Sequence, residues 1–465
     1  MKKLFVKIGM MTVVGMTLLT TSCKEDETIT EDPSCVTGET STEVSTCNQE
    51  DVTVVAVNAC PDGVGTQTWT KDKVYLLNGF VFVNSGQTLT IEPGTIIKGS
   101  AGNGANASAL IVAQGATLIA NGTAAEPIIF TSQADNIRRD VNGVLCEPKN
   151  LNSSNQGLWG GVIMLGNAGL NTTPSIQQIE GIPTSESRGK YGGTDDEDNS
   201  GSLKYISIRH GGTNIGSDNE INGLTLGGVG SATVIEHIEV IANQDDGIEF
   251  FGGTVNVKWA VVSNCGDDSF DYDQGWRGKG QFWYTQQDQA DNTNGDRGGE
   301  HDGGTNPEDG IPYATPHIRN ATYHGHGGGR AVTFRDNAGG KYINSIFINF
   351  DKGIDVEDLA TGEDSKARLD DGDLKLEYNV FFNIAAGTST GDILKSSDGT
   401  SIDSHTNVNN NTVADPGITA ANPIPANALG TGSTTTDSWY DNATYKGAFE
   451  TTNWAAGWTM LFPTL

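Results

Sequence analysis

Residues 243–273 read NQDDGIEFFGGTVNVKWAVVSNCGDDSFDYD, and within them the acidic pairs Asp245-Asp246 and Asp267-Asp268 lie 22 residues apart. The residues that follow each pair keep the same phase. Ile248, Glu249 and Phe250 correspond to Phe270, Asp271 and Tyr272, so apolar side chains alternate with acids in both copies. A period of two marks a strand, and the Gly, Asn and Asp that interrupt it mark turns.

The same unit recurs outward from this stretch. IEHIEVIAN (235–243) precedes the first acidic pair, VKWAVVSNC (257–265) precedes the second, and KYINSIFIN (341–349) precedes DKGIDV (351–356). Upstream, NGLTLGG (222–228) fits the same frame. A repeat near 22 residues is too short for a propeller blade and lacks the helical period of 3.6. It fits one coil of a solenoid in which each strand lies about 4.8 Å from its copy in the next coil. The fold class is therefore all-β, a single parallel β-helix of roughly a dozen coils at about 22 residues each, right-handed by the resemblance described below. Stacking in register predicts Ile248 against Phe270 and Phe250 against Tyr272 as an internal ladder.

Composition agrees. Gly numbers 61, only 18% of residues are charged, and the 28 Lys and Arg against 58 Asp and Glu leave a net charge of -30. Such a surface opposes nucleic acid, whose phosphates need Lys and Arg, and favours cations as partners. A dense acidic surface also serves solubility alone. The helix is expected over 51–390, with inserts at 132–156 and 286–316 that lack sustained alternation and project as long turns. A polar Gly/Ser/Thr/Asn-rich segment (391–440) and a C-terminal aromatic cap (441–465) with Trp454 and Trp458 complete the chain. These aromatics are expected to close the last coil or to stack on carbohydrate.

The N-terminus carries Lys2, Lys3 and Lys7, an apolar run from Ile8 to Leu19, and small residues before Cys23. The run is too short to span a bilayer. It resembles a bacterial lipoprotein signal peptide (1–22) with Cys23 as the lipidated residue. The following Lys24-Glu25-Asp26-Glu27 resembles the signal that sends Bacteroidetes lipoproteins to the outer face of the outer membrane, and 23–50 reads as a flexible acidic tether. Five cysteines then remain, Cys35, Cys47, Cys60, Cys146 and Cys265, so at least one is unpaired; the first three are placed to supply one local disulfide.

LNGFVFVNSGQTLTIEPGTIIKG (77–99), LIVAQGATLIANGTAAEPIIFTS (110–132) and GLWGGVIMLGNAGLN (157–171) resemble the right-handed β-helix lipoproteins of Bacteroidetes. That resemblance implies fold and location and carries no settled biochemical role.

Register also places like charges together: Asp245 against Asp267 and Glu249 against Asp271, with Asp246, Asp268 and Asp273 nearby. Carboxylates one strand apart repel, so they share a proton, bind a cation, or splay into water. Hard oxygen ligands in this number favour Ca²⁺, which makes Asp245, Asp246, Glu249, Asp267, Asp268, Asp271 and Asp273 the metal candidates. A catalytic reading competes. Asn243-Gln244-Asp245, Asp267-Asp268 and Gly325-His326-Gly327 resemble, in order, three of the four motifs of polygalacturonase-type β-helix glycosidases, which implies Asp245, Asp267, Asp268 and His326 as catalytic. The fourth motif, Arg-x-Lys, has no counterpart. A β-elimination with Ca²⁺ acidifying the sugar and Arg277, Arg330 or Arg335 as base is a further expectation. Asp296-Arg-Gly-Gly-Glu300-His301-Asp302 gathers acids and a histidine with metal-ligand character. The leading expectation is a cell-surface lipoprotein, tied to the outer membrane by its N-terminal lipid, that binds a polysaccharide or a surface protein without turnover, with Ca²⁺ as a structural ion. The alternative is a polysaccharide hydrolase or lyase, and fold alone does not separate the two.

Overall fold

Stacked strands account for nearly all the regular structure. The computed structural model describes residues 36–37, 42–43, 52–140, 143–147, 149–216, 219–287, 295–305 and 307–464. The signal peptide and Cys23 fall outside them. A 21-stranded sheet and a ten-stranded sheet wrap one core, and successive coils pair in parallel. The expected ladder is present: Ile248 pairs with Phe270, Glu249 with Asp271 and Phe250 with Tyr272. Leu224 and Leu226 continue it one coil earlier.

The long sheet bends once per coil. Strand Gly201–Arg209 pairs through its first half with Thr117–Asn121 and through its second with Ile128–Ser132. Tyr205 lies between the halves in the left-handed region, φ 50°, and His237, Trp259 and Phe282 take the same conformation in the next three coils. A bulky residue there costs roughly 1–2 kcal/mol. The rings offset part of that by stacking outside the solenoid, with centroids 4.2 Å apart for Tyr205–His237 and 4.6 Å for His237–Trp259.

Inside, Ile248, Phe250, Phe270 and Tyr272 are each at most 1% exposed. Each such burial contributes about 1.5–3 kcal/mol. Phe250 also stacks on Trp276 at 3.9 Å and Phe270 on Trp283 at 4.4 Å, which locks neighbouring coils together.

Four expectations need correction. Residues 286–316 are not only projecting turns, because Arg297–Asp302 is a strand of the ten-stranded sheet, in register with Phe270–Tyr272. Its inward positions are Gly299 and His301, so no apolar alternation betrays it. The helix also runs past 390: Leu394–Ser396 pairs with Ile354–Val356, and Thr412–Val413 with Val380–Phe381. Within the expected tether, Val36–Thr37 and Thr42–Glu43 pair antiparallel with Val52–Asn58, covering the edge the first coil would otherwise expose. Finally, the C-terminal aromatics do not close the end of the solenoid. They lie along its side, with Trp458 edge-on to Tyr205 at 5.4 Å and only 2% exposed, which leaves that ring no face for a sugar. Cys35 and Cys47 lie outside the described residues; among the described ones Cys60 and Cys146 are each disulfide-bonded, and Cys265 is free and buried.

Candidate functional site

The outward positions of the ten-stranded sheet form a column. Because Leu226, Phe250, Tyr272, His301 and Phe334 point inward in successive coils, Thr225, Glu249, Asp271, Glu300, Thr333 and, one coil on, Asp355 point out. The turn that enters each strand brings a second column. Asp246 Oδ1 accepts the backbone N–H of Asp268 at 2.8 Å, and Asp268 Oδ1 accepts that of Arg297 at 2.6 Å, so each turn acid grips the coil above. Gly247 lets the first turn close. A Cβ there would sit 2.2 Å from Val262 Cγ1 and 2.6 Å from Ser269 O.

Toward the C-terminal coils, arginines neutralise the acids. Arg297 Nη1 lies 3.2 Å from Asp268, 3.0 Å from Asp296 and 3.0 Å from Glu300. Arg335 reaches Glu300 at 2.9 Å and Asp302 at 2.6 Å, and Arg330 reaches Asp355 at 3.3 Å. Burial pushes Asp302 up to about 7 although Arg335 pulls it down. The hydrogen bond to Asp302 holds Arg335 above the ordinary guanidinium value, against burial.

One coil earlier the balance fails. Carboxylate oxygens of Asp246, Glu249 and Asp271 lie within 4.8 Å of one another. None of the three has a Lys or Arg partner among the described residues. Asp246 and Glu249 are each 8% exposed. Asn222 Nδ2 donates to Glu249 and, at 3.1 Å, to Glu180, while Asp271 Oδ1 is buried with no hydrogen bond among the described residues. Burial raises all three carboxyls well above their ordinary values, and neighbouring acids add to it: Asp268 for Asp246, Glu180 for Glu249, Asp246 for Asp271. Three oxygens this close can converge on one Ca²⁺, whose oxygen ligands sit at about 2.3–2.6 Å, with small side-chain shifts. Asp245 and Asp267 join Asp246 in a second such group at the rim.

The candidate residues therefore separate. Asp245, Asp246, Glu249, Asp267 and Asp271 come together. Asp268 is instead held by Arg297 and grouped with Asp267 and Asp296, and Asp273 accepts from Gln274 N–H at 2.5 Å and Thr305 Oγ1 at 3.2 Å. His326 lies in the same column of turns as Asp267, with the Gly295 coil between them. Its Nε2 donates to Gly295 O at 3.0 Å and its Nδ1 accepts from Gly328 N–H at 3.3 Å, so both ring nitrogens are engaged by backbone. His301 faces the core, stacked on Tyr272 at 4.0 Å, and burial drives its pKa down to about 3. Arg277 is taken up by Asp196 at 2.6 Å. Sequence reasoning did not single out Glu180, which comes from a hairpin outside the repeat, or the group of exposed Glu308 with half-buried Asp336 and Glu357.

Comparison with the curated proteins and with the solved structures gives no match. The family model described as "Pectate-lyase like beta helix domain" matches residues 63–459, which takes in nearly every coil and the whole acidic column, and the chain belongs to that family.

Proposed function

We propose that the protein is a lipoprotein of the outer cell surface, anchored through Cys23, that binds an extracellular polysaccharide along the acidic face of its ten-stranded sheet without cleaving it. A divalent cation, Ca²⁺ by the hardness of its ligands, is seated by Asp246, Glu249 and Asp271. The observation that carries this reading is the contrast in charge balance: Asp246, Glu249 and Asp271 lack, among the described residues, the arginine partners that Asp268, Glu300 and Asp302 have. A cation held there with open positions toward solvent bridges the protein to carboxylate or hydroxyl oxygens of a glycan. His326 and Asp268, both committed to structural bonds, support binding over hydrolysis.

The test uses protein lacking residues 1–23, titrated with Ca²⁺ by calorimetry and then passed over immobilised acidic and neutral polysaccharides with and without chelator. Saturable Ca²⁺ binding and chelator-sensitive retention on an acidic glycan are expected, with no new reducing ends or unsaturated products. Turnover that disappears in Asp245→Ala or Asp267→Ala defeats the binding reading. For the anchor, Cys23→Ala in the full chain is expected to release the protein from the membrane fraction.

A further inference from the structure

The long sheet carries a second site on a different face. A cavity of about 460 Å³ lies where Arg209, Ile241, Asn264 and Gln286 end four adjacent coils. Its other walls come from the two segments that break the repeat: Ile137, Glu147 and Leu151 of the insert, and Met460, Leu461 and Pro463 of the C-terminal segment. Glu239, fully buried, fixes the latter by accepting the backbone N–H groups of Met460 and Leu461, each at 2.9 Å.

The floor is rich in unused donors. Arg209 is 4% exposed; its Nε donates to Ser207 Oγ at 2.7 Å and its Nη1 to Glu147 at 3.0 Å, which leaves Nη2 without a partner among the described residues. Asn264 and Gln286 are each 8% exposed. Their side-chain oxygens accept from Ser263 and Tyr284, and their amide NH₂ groups have no partner among the described residues. All three donors face the cavity, where an acceptor can take the place of water on them together. Charges at the walls balance: Arg209 and Lys149 stand against Glu147 and Asp135, and Asp135 is already bonded to Thr131 and to the N–H of Ile137. Asn152, Ser153 and His210 add polar groups to the wall, and Ile137, Leu151, Ile241, Met460, Leu461 and Pro463 form its apolar part.

We propose that this cavity binds a small amphiphilic carboxylate, its head on Arg209, Asn264 and Gln286 and its apolar body against Leu151, Ile241 and Leu461. Two oxygens match a guanidinium edge and two amides, and the volume suits a ligand of medium chain length. The site is independent of Ca²⁺.

Protein lacking residues 1–23 is titrated with dansylaminoundecanoic acid in chelator, following the blue-shifted dansyl emission. Saturable binding is expected, displaced by decanoate and not by decanol. Gln286→Leu weakens it about tenfold. Leu151→Trp, filling the cavity from the insert, abolishes it at an unchanged melting temperature, and Ala420→Trp repeats the block from the C-terminal segment. Absence of saturable binding, equal displacement by decanol, or full binding in both tryptophan variants overturns the proposal.

Discussion

Two neighbouring stretches of one face solve the same electrostatic problem in different ways. In both, parallel stacking sets acid over acid at a fixed register. Around Glu300 the solution is internal, because Arg297 and Arg335 reach across the coil and form ion pairs with Asp268, Glu300 and Asp302. Around Glu249 the side-chain donor is the neutral amide of Asn222, and one oxygen of Asp271 has no hydrogen-bond partner among the described residues. The same repeat thus yields a closed ionic network and, one coil away, a cluster whose charge must be answered from solution, by protons or by a metal. Two turns built alike differ in charge balance because of a few arginines.

The largest expected effect comes from breaking the closed half. Asp268 is 1% exposed and depends on Arg297 for both its backbone N–H and its guanidinium contact. Arg297→Leu keeps the backbone bond and strands the charge. We expect a loss of about 3–5 kcal/mol in urea denaturation, with Ca²⁺ affinity little changed. A loss under about 1 kcal/mol would show that the network is solvated and that the contrast between the halves is only apparent.

Asp271→Asn probes the open half, and its effect changes sign with conditions. The folded pKa of Asp271 lies well above the value of about 3.9 for an unfolded chain. Its carboxylate therefore destabilises the fold at pH values above the folded pKa, and that penalty fades as the pH falls toward about 4. In chelator at pH 8 the variant is expected to be more stable than the parent by about 1–3 kcal/mol, with the gain shrinking to nothing near pH 4. In saturating Ca²⁺ the order reverses, because the parent gains a ligand the variant cannot hold. Melting curves across pH, with and without Ca²⁺, check all three statements. A variant less stable than the parent in chelator at pH 8 would remove the argument for an uncompensated cluster.

What the sequence made legible follows the same division. The inward ladder was readable because Ile248, Phe250, Phe270 and Tyr272 alternate with acids at an unbroken spacing, and the register of Glu249 on Asp271 follows from it. The strand Arg297–Asp302 was not readable, since glycine and histidine fill its core positions and Phe270 pairs with Gly299, 29 residues on, instead of 22. The acids of the site were visible one by one, but their compensation was not. Whether an acid is neutralised depends on arginines one or two coils away and on Glu180, carried in by a hairpin outside the repeat. Those distances exist only once the coils are stacked.

The smallest effect separates the turn histidine from the acids it resembles by motif. His326 spends both ring nitrogens on backbone, at Gly295 and Gly328, and so acts as a clamp between successive turns. His326→Ala removes two hydrogen bonds at a partly exposed position and is expected to cost about 1 kcal/mol. Ca²⁺ affinity and glycan retention stay at the parent level, since the bonds it loses lie a coil beyond Asp267. His326→Gln, able to donate to Gly295 O, recovers part of the stability. A His326→Ala protein that folds with the parent's melting temperature yet loses glycan retention would place the imidazole on the ligand, and would move the binding face up the turn column to join Asp267 with the Gly325 turn.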